Sequence, residues 1–349
     1  MKTIRLPLGL AFAILLLALV PALLGWAGSA YLGRLAQVVL VTIVLTGALN
    51  LLTGTAGLLA LDSVVFYGIG AYTAAILSVN TGTSFIVDLV AAVALTTVVG
   101  VIFGYALVRL TSIFFAVATM ALAISFHTTV LNWGDLTRGP MGYRGIPPVR
   151  FFGHAVGGWL ESYYVTAVFC LVALFIMHRV MHSFYGNAVR AVREDEECAL
   201  SLGLRTRWLR VQIYALHAAI MGAAGALYAH SNQFIGPDNF VMLEAALVLT
   251  GVIVGGIGSL PGAVIGGVVM VLLPEVLRDI GNLRAFVFGM VLFLSILFLP
   301  RGLFSEVRAL ALFRRDMPRS PWPRRRAAPK PARIPSGDRP TYSSGEGLQ

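Results

Sequence analysis

Lysine is almost missing from this chain: among its 26 basic residues only Lys2 and Lys330 are lysines, and neither follows a glycine. A Gly-Lys-Ser/Thr phosphate loop, in which the lysine reaches the terminal phosphates, is therefore excluded. Any nucleotide that drives this protein must be bound by another polypeptide. Cysteine is nearly as rare. Cys170 lies in an apolar run and Cys198 in a charged segment, a pairing that argues against a structural disulfide. Charge of either sign is scarce, at 12% of residues against roughly 25% in ordinary globular domains. Between Leu6 and Leu131 the ionic residues are Arg34, Asp62, Asp88 and Arg109 alone. Metal-ligand clusters are wanting too. His178 and His182 stand at i and i+4 with no glutamate between them and read as an interfacial pair. With no acid–base or metal set at one depth, an intramembrane enzyme is excluded, and no cofactor is expected.

What the chain has is apolar surface, 58% of its 349 residues. A water-soluble fold cannot cover that much, so lipid is the solvent. That rules out a soluble enzyme, a secreted disulfide scaffold and a nucleic-acid module. A bilayer core of about 30 Å needs about 20 apolar residues per helix. Ten spans are expected, near 6–24, 33–53, 58–79, 85–108, 113–131, 162–183, 211–230, 241–259, 262–277 and 285–300, the two short ones at 241–277 being open to a re-entrant reading. The first is expected as a retained helix, since it is longer than the apolar stretch of a cleavable signal.

The net charge of +10 is unevenly placed: eleven basic residues follow Pro300 and six lie between Arg179 and Arg210. With ten spans and both termini cytoplasmic, the six outer ones are Arg34, Arg138, Arg144, Arg150, Arg278 and Arg284. Setting aside the basic residues beyond Arg319, too far from a span to count, 14 remain inside against six outside, and the orientation holds. Residues 1–313 form the expected transmembrane domain. The tail 314–349, rich in Arg, Pro and Ser, buries too little to fold.

The 37 glycines concentrate in TGTAGLLALDSVVFYGIGAYTAA, from Thr53, and TGVIVGGIGSLPGAVIGG, from Thr250. Both are apolar runs interrupted by glycine and small polar residues, at similar places in two related halves. Paired interrupted spans point to a transport path. The expected path residues are Thr53, Gly54, Thr55, Gly57, Ser63, Tyr67, Gly68, Gly70, Tyr72, Thr73, Gly255, Gly256 and Gly258. Among the intramembrane acids Asp88 and Glu275 sit near span ends, within reach of water. Asp62 and Glu244 support a rival reading, an ion-coupled secondary transporter.

Two loops stand out. The turn-rich segment 132–161 is expected outside. The segment 184–210 is expected inside and reads as a helix that closes on Gly203 in a left-handed cap. Glu197-Cys198-Ala199, then Gly203, with Ile213 ten further on, follows the glutamate-alanine-alanine…glycine pattern of ATP-binding-cassette permeases. There a short helix with a small-residue face, here Ala199 and, one turn earlier, Asp195, lodges in a groove of a cytosolic motor.

From about Leu49 to Phe304 the chain resembles the LivM-type permease subunits of branched-chain amino acid ABC importers. The resemblance is carried by LNLLTGTAGLLALDSVVFYGIGAYTAAIL, LTRGPMGYRGIPP, GNAVRAVREDEECALSLGL, AAIMGAAGALYAHSNQFIGPDNF, VIVGGIGSLPGAVIGG and FLPRGLF. It implies a BtuC-like, type II importer all-α bundle in the inner membrane. Its implied partners are a LivH-type second permease, two cytosolic ATPase subunits and an extracytoplasmic solute-binding protein. It implies ATPase coupling through Asp195, Glu196, Glu197, Cys198, Ala199 and Gly203, and binding-protein docking at Thr137, Gly139, Gly142, Gly145, Gly236 and Pro237. The implied cargo is leucine, isoleucine and valine, with urea, short amides or other amino acids as the alternative. Leu58, Ala60 and Ser63 stand where relatives usually carry Gln, Ser and His, and Cys198 where alanine is usual.

Overall fold

The computed structural model describes residues 30–278, apart from 111, 152–153 and 156–157, together with 287, 289, 290 and 293. The expected spans at 6–24 and, those four positions aside, 285–300 lie outside the described residues, as does the tail 314–349.

The described chain is almost entirely helical. Its long helices are α1 (Ala30–Leu51), α2 (Ser63–Thr81), α3 (Phe85–Leu107), α4 (Ser112–Asn132), α6 (Trp159–Met181), α9 (Thr206–Asn232) and α10 (Met242–Gly255). A short α5 (Gly134–Thr137) follows α4, while α7 (Phe184–Glu194) and α8 (Glu196–Ser201) join α6 to α9. Seven segments are long and apolar enough to cross a membrane, counting the continuations of α1 to Ala56 and of α10 back to Pro237. The eighth apolar helix, α11 (Leu260–Val276), has 17 residues, about 26 Å and at the short end for a span. This is an all-α polytopic membrane protein.

Lipid and protein faces follow from side-chain size. Ile113, Phe114 and Val117 on α4, Val98 and Ile102 on α3, and Val168, Val172 and Phe175 on α6 point outward. Their apolar surface is at no cost in lipid. Inside, where lipid gives no hydrophobic drive, helices associate by close approach. α9 is the centre, and glycines seat it: Gly100 meets Ala218, Gly104 meets the Tyr214 ring, Gly222 meets Thr96, and Gly225 lies against the backbone of Tyr67. α10 and α11 pack likewise, Gly251 and Gly255 against Gly266 and Gly262.

α9, 27 residues long and about 40 Å, connects two ends. At one lie α7 and α8. At the other, β1 (Tyr143–Arg144) pairs antiparallel with β4 (Phe234–Ile235), so the stretch around Tyr143 and the turn after α9 form one platform. A second hairpin joins β2 (Arg150–Phe151) to β3 (His154–Ala155).

Candidate functional site

The two glycine-rich interruptions meet. α1 does not stop at Leu51 but widens into a buried π-helical turn, Leu52–Ala56, and ends on Gly57 at φ +71°. π-turns are rare and recur at functional sites. The second interruption separates α10 from α11, with Gly256 at φ +115° and Gly258 at φ +85°. Breaking a helix inside a membrane protein frees backbone groups that no water satisfies. One side chain does so here: Asn50 Nδ2 donates to the Ser259 carbonyl at 2.8 Å, and Gly258 N–H donates to Asn50 Oδ1 at 2.7 Å. The approach requires glycine, since a methyl group at Gly54 would lie 2.5 Å from Gly258 Cα.

The α7–α8 segment reaches this junction directly. Ser183 caps α7 by accepting from Gly186 N–H at 3.1 Å. From the last turn of α7, Arg193 Nη1 donates to the Gly54 carbonyl at 2.6 Å, and the arginine stem lies over Gly57. Tyr185 donates to the Leu209 carbonyl at 3.1 Å, and burial pushes its phenol up to about 12, so it stays a donor. The expected single helix is in fact two. Asp195 breaks it with an extended backbone, ending α7 and capping α8 through a 2.9 Å bond from Cys198 N–H. Glu196 pairs with Arg210 at 2.9 Å. Glu197 and Cys198 are exposed. Ala199 is buried, so the small face of α8 is turned into this chain, and Glu197, Cys198 and Leu200 are what α8 shows outward. Gly203, at φ +81°, closes α8: its N–H donates to the Leu200 carbonyl and that of Leu204 to the Ala199 carbonyl, a Schellman arrangement.

The expected path residues fall into two groups and do not form one continuous lining. Thr53, Gly54, Thr55, Gly57, Gly255, Gly256 and Gly258 belong to the junction just described. Tyr67 and Tyr72 lie toward the platform, in an aromatic cluster with Phe240 (centroids 5.5 and 5.6 Å), Tyr143 and Tyr228. Gly68 makes room for Phe126 and Gly70 for Gly222, both as packing contacts. The hydroxyls of Thr53, Thr55 and Thr73 are bonded to carbonyls one turn back. Ser63 Oγ and the Tyr72 hydroxyl are buried without a partner among the described residues.

The expected docking residues mostly frame the platform from within. Thr137, Gly139, Gly142, Gly236 and Pro237 are buried, and Gly145 is exposed. Thr137 donates to the carbonyls of Val130 and Trp133, each at 2.6 Å. A side chain on Gly142, at φ +62°, would strike the Ile235 carbonyl. Met141, Arg144, Phe234 and Asp238 are what the platform shows outward.

Asp88 and Glu244 lie elsewhere than expected, while Asp62 is buried among the helices as an intramembrane acid. Asp88, expected within reach of water, is fully buried: it accepts from Thr83 and lies 3.1 Å from His230, whose Nδ1 donates to the Pro147 carbonyl at 2.8 Å. Asp62 accepts from Tyr214 and stands 3.6 Å from His217, whose Nδ1 donates to the Ala48 carbonyl at 3.0 Å. Glu244 is exposed at the start of α10. No group of three or more His, Cys, Asp or Glu residues able to hold a metal is present among the described residues. Sequence reasoning does not single out Asn50, Arg193 or His230. A lone asparagine in an apolar run is the one signal that could have found any of them.

Over residues 31–297 the sequence matches the family described as branched-chain amino acid transport system / permease component. The LivM permease protein of the high-affinity branched-chain amino acid transport system of Escherichia coli K12 is 30% identical over 297 residues, spanning 78% of this chain and 70% of that protein. LivM of Salmonella typhimurium gives the same identity and coverage. LivH of Escherichia coli K12 is 30% identical over 164 residues, 42% of this chain and 50% of that one. No solved structure matches.

Proposed function

The chain belongs to the branched-chain amino acid transport permease family, and from that premise we propose that it is a membrane-spanning subunit of an ATP-binding-cassette importer carrying leucine, isoleucine and valine into the cytoplasm. Its partners are a LivH-type permease, two cytosolic ATPase subunits and an extracytoplasmic binding protein that docks on the platform. The α7–α8 end faces the cytoplasm of a cell whose inner membrane holds the protein, in keeping with the arginines gathered there: Arg179, Arg190, Arg193, Arg205, Arg207 and Arg210. Both termini lie on that side.

The observation that carries the mechanism is Arg193 holding the Gly54 carbonyl where both interruptions meet. Nucleotide closure moves α7 and α8, through Asp195 to Ala199 and the Gly203 turn. Arg193 passes that movement to the π-turn, and Asn50 passes it on to Gly258. The junction opens on one face while the aromatic cluster under the platform closes the other. A motor alternates the two states because it binds them unequally, so this chain needs no ion gradient. Exposed Glu244, far from forming a pair with Asp62, lends the secondary-transporter reading no support.

The test is the assembled transporter in proteoliposomes, with Arg193→Gln and Glu197→Lys compared. Arg193→Gln retains nucleotide hydrolysis and loses most uptake, whereas Glu197→Lys loses bound ATPase subunits and both activities. Full uptake by both variants overturns the coupling assignment. Competition of labelled leucine uptake by isoleucine and valine, and not by urea or acetamide, fixes the cargo.

A further inference from the structure

We propose that the concavity between α3 and the start of α9 binds the headgroup of an anionic phospholipid. It has a volume of about 370 Å³ and is lined by Tyr105, Leu200, Arg205, Thr206, Arg207 and Trp208. Two guanidinium groups converge on one ring there: Arg207 lies 3.7 Å and Arg109 5.5 Å from the Tyr105 centroid. Arg207 also donates to the Tyr105 carbonyl at 2.9 Å, while its Nε is buried with no partner. The arginine ion pairs among the described residues use Arg193, Arg210 and Arg278 and leave Arg109, Arg205 and Arg207 without a carboxylate. Three cations in one place with no counter-charge call for an anion, and Arg suits a phosphate that accepts two parallel hydrogen bonds.

The position selects a lipid over other anions. Tyr105 is in the last turn of a membrane-spanning helix, and Trp208 is exposed beside it, the residue types that sit at headgroup level. On the same face of α3, one and two turns before Tyr105, Ile102 and Val98 are exposed, an apolar surface on which the acyl chains of the same molecule lie. Basic pockets between spans take such headgroups. Of the lining residues only Leu200 belongs to α8; the others lie at the end of α3 and the start of α9, beside the lipid-facing surface. The inference goes beyond the transport reading and holds whatever the cargo is.

The complete transporter is to be reconstituted in nanodiscs of phosphatidylcholine with phosphatidylglycerol, re-extracted in mild detergent, and its retained lipid measured by native mass spectrometry. Wild type retains phosphatidylglycerol in preference to phosphatidylcholine. Combined Arg109→Gln and Arg207→Gln lowers that retention roughly tenfold; Arg179→Gln, which removes an exposed charge at the same end, leaves it unchanged. Equal retention by all three, or an equal fall in both variants, overturns the site in favour of none or of diffuse attraction. Displacement by inorganic phosphate assigns the patch to a free anion, and retention seen only after the ATPase subunits are stripped assigns it to them; either overturns the proposal. Should the double variant fail to assemble, Arg109→Gln alone, which leaves the hydrogen bond from Arg207 to Tyr105 in place, must still lower retention.

Discussion

Asn50 shows how much one buried carboxamide can carry. Its amide and its carbonyl each satisfy a backbone group across 208 or more residues of sequence. Asn50→Ala leaves the Gly258 N–H without its partner, at about 1 kcal/mol, while the Ser259 carbonyl keeps its bond from the Ala263 N–H. Thermal unfolding of the purified complex should fall by several degrees and uptake with it, while Asn50→Asp, which keeps the acceptor for Gly258, should fall between the two. Tyr214→Phe removes the donor to a buried carboxylate and should also destabilise. If Asp62 were an ion-coupling group, Asp62→Asn would change how uptake responds to the proton gradient; on the present reading it changes stability and leaves the dependence on nucleotide alone. At this scale the sequence was least legible. A glycine run announces an interruption, but nothing in it says that Arg193, 139 residues away, will hold its carbonyl. Asp88 looked solvated because it is close to a span end, and only the folding of α9 brings His230 to it.

Elements were easier to read. The spans recovered in the described residues stand out because lipid demands unbroken apolar length, a local property. The 184–210 segment was legible as helix and Gly203 as its stop, since a left-handed cap is written in a single residue. The break at Asp195 was not, because an aspartate within a helical pattern serves equally as interior residue or cap until its neighbours choose. Nor does a small-residue face say which side it turns, and Ala199 turned inward. Gly142 and Gly236, read in the sequence as docking residues, also serve close strand pairing, which spacing alone does not reveal. Gly203→Val forces a branched side chain into a left-handed backbone, at about 1–2 kcal/mol. It should leave the membrane helices intact by circular dichroism and, on the proposed coupling through α8, slow nucleotide-dependent uptake.

At the scale of the whole molecule, the described chain has no open passage through it: its expected path residues are mostly buried and its interruptions are stitched shut. Vesicles containing only this subunit should therefore stay impermeable to leucine with or without a proton gradient. Restoring the second permease, the ATPase subunits and the binding protein should give uptake that stops when ATP is withheld. Accumulation by the single chain would refute the account at its base. The membrane class was visible in the composition, and transport in the paired glycine-rich interruptions at Thr53 and Thr250. The meeting of the two interruptions was not, because it rests on a contact between residues 209 apart in sequence.

The stitch at Asn50 has a consequence for the cell. A membrane storing an electrochemical potential is drained by any pore left ajar, even briefly. Because a single amide on α1 grips the backbone of the α10–α11 break at Gly258 and Ser259, that break is tied to the helix that carries the other. On the proposed mechanism the two breaks then move as one, and no leaky halfway stage forms.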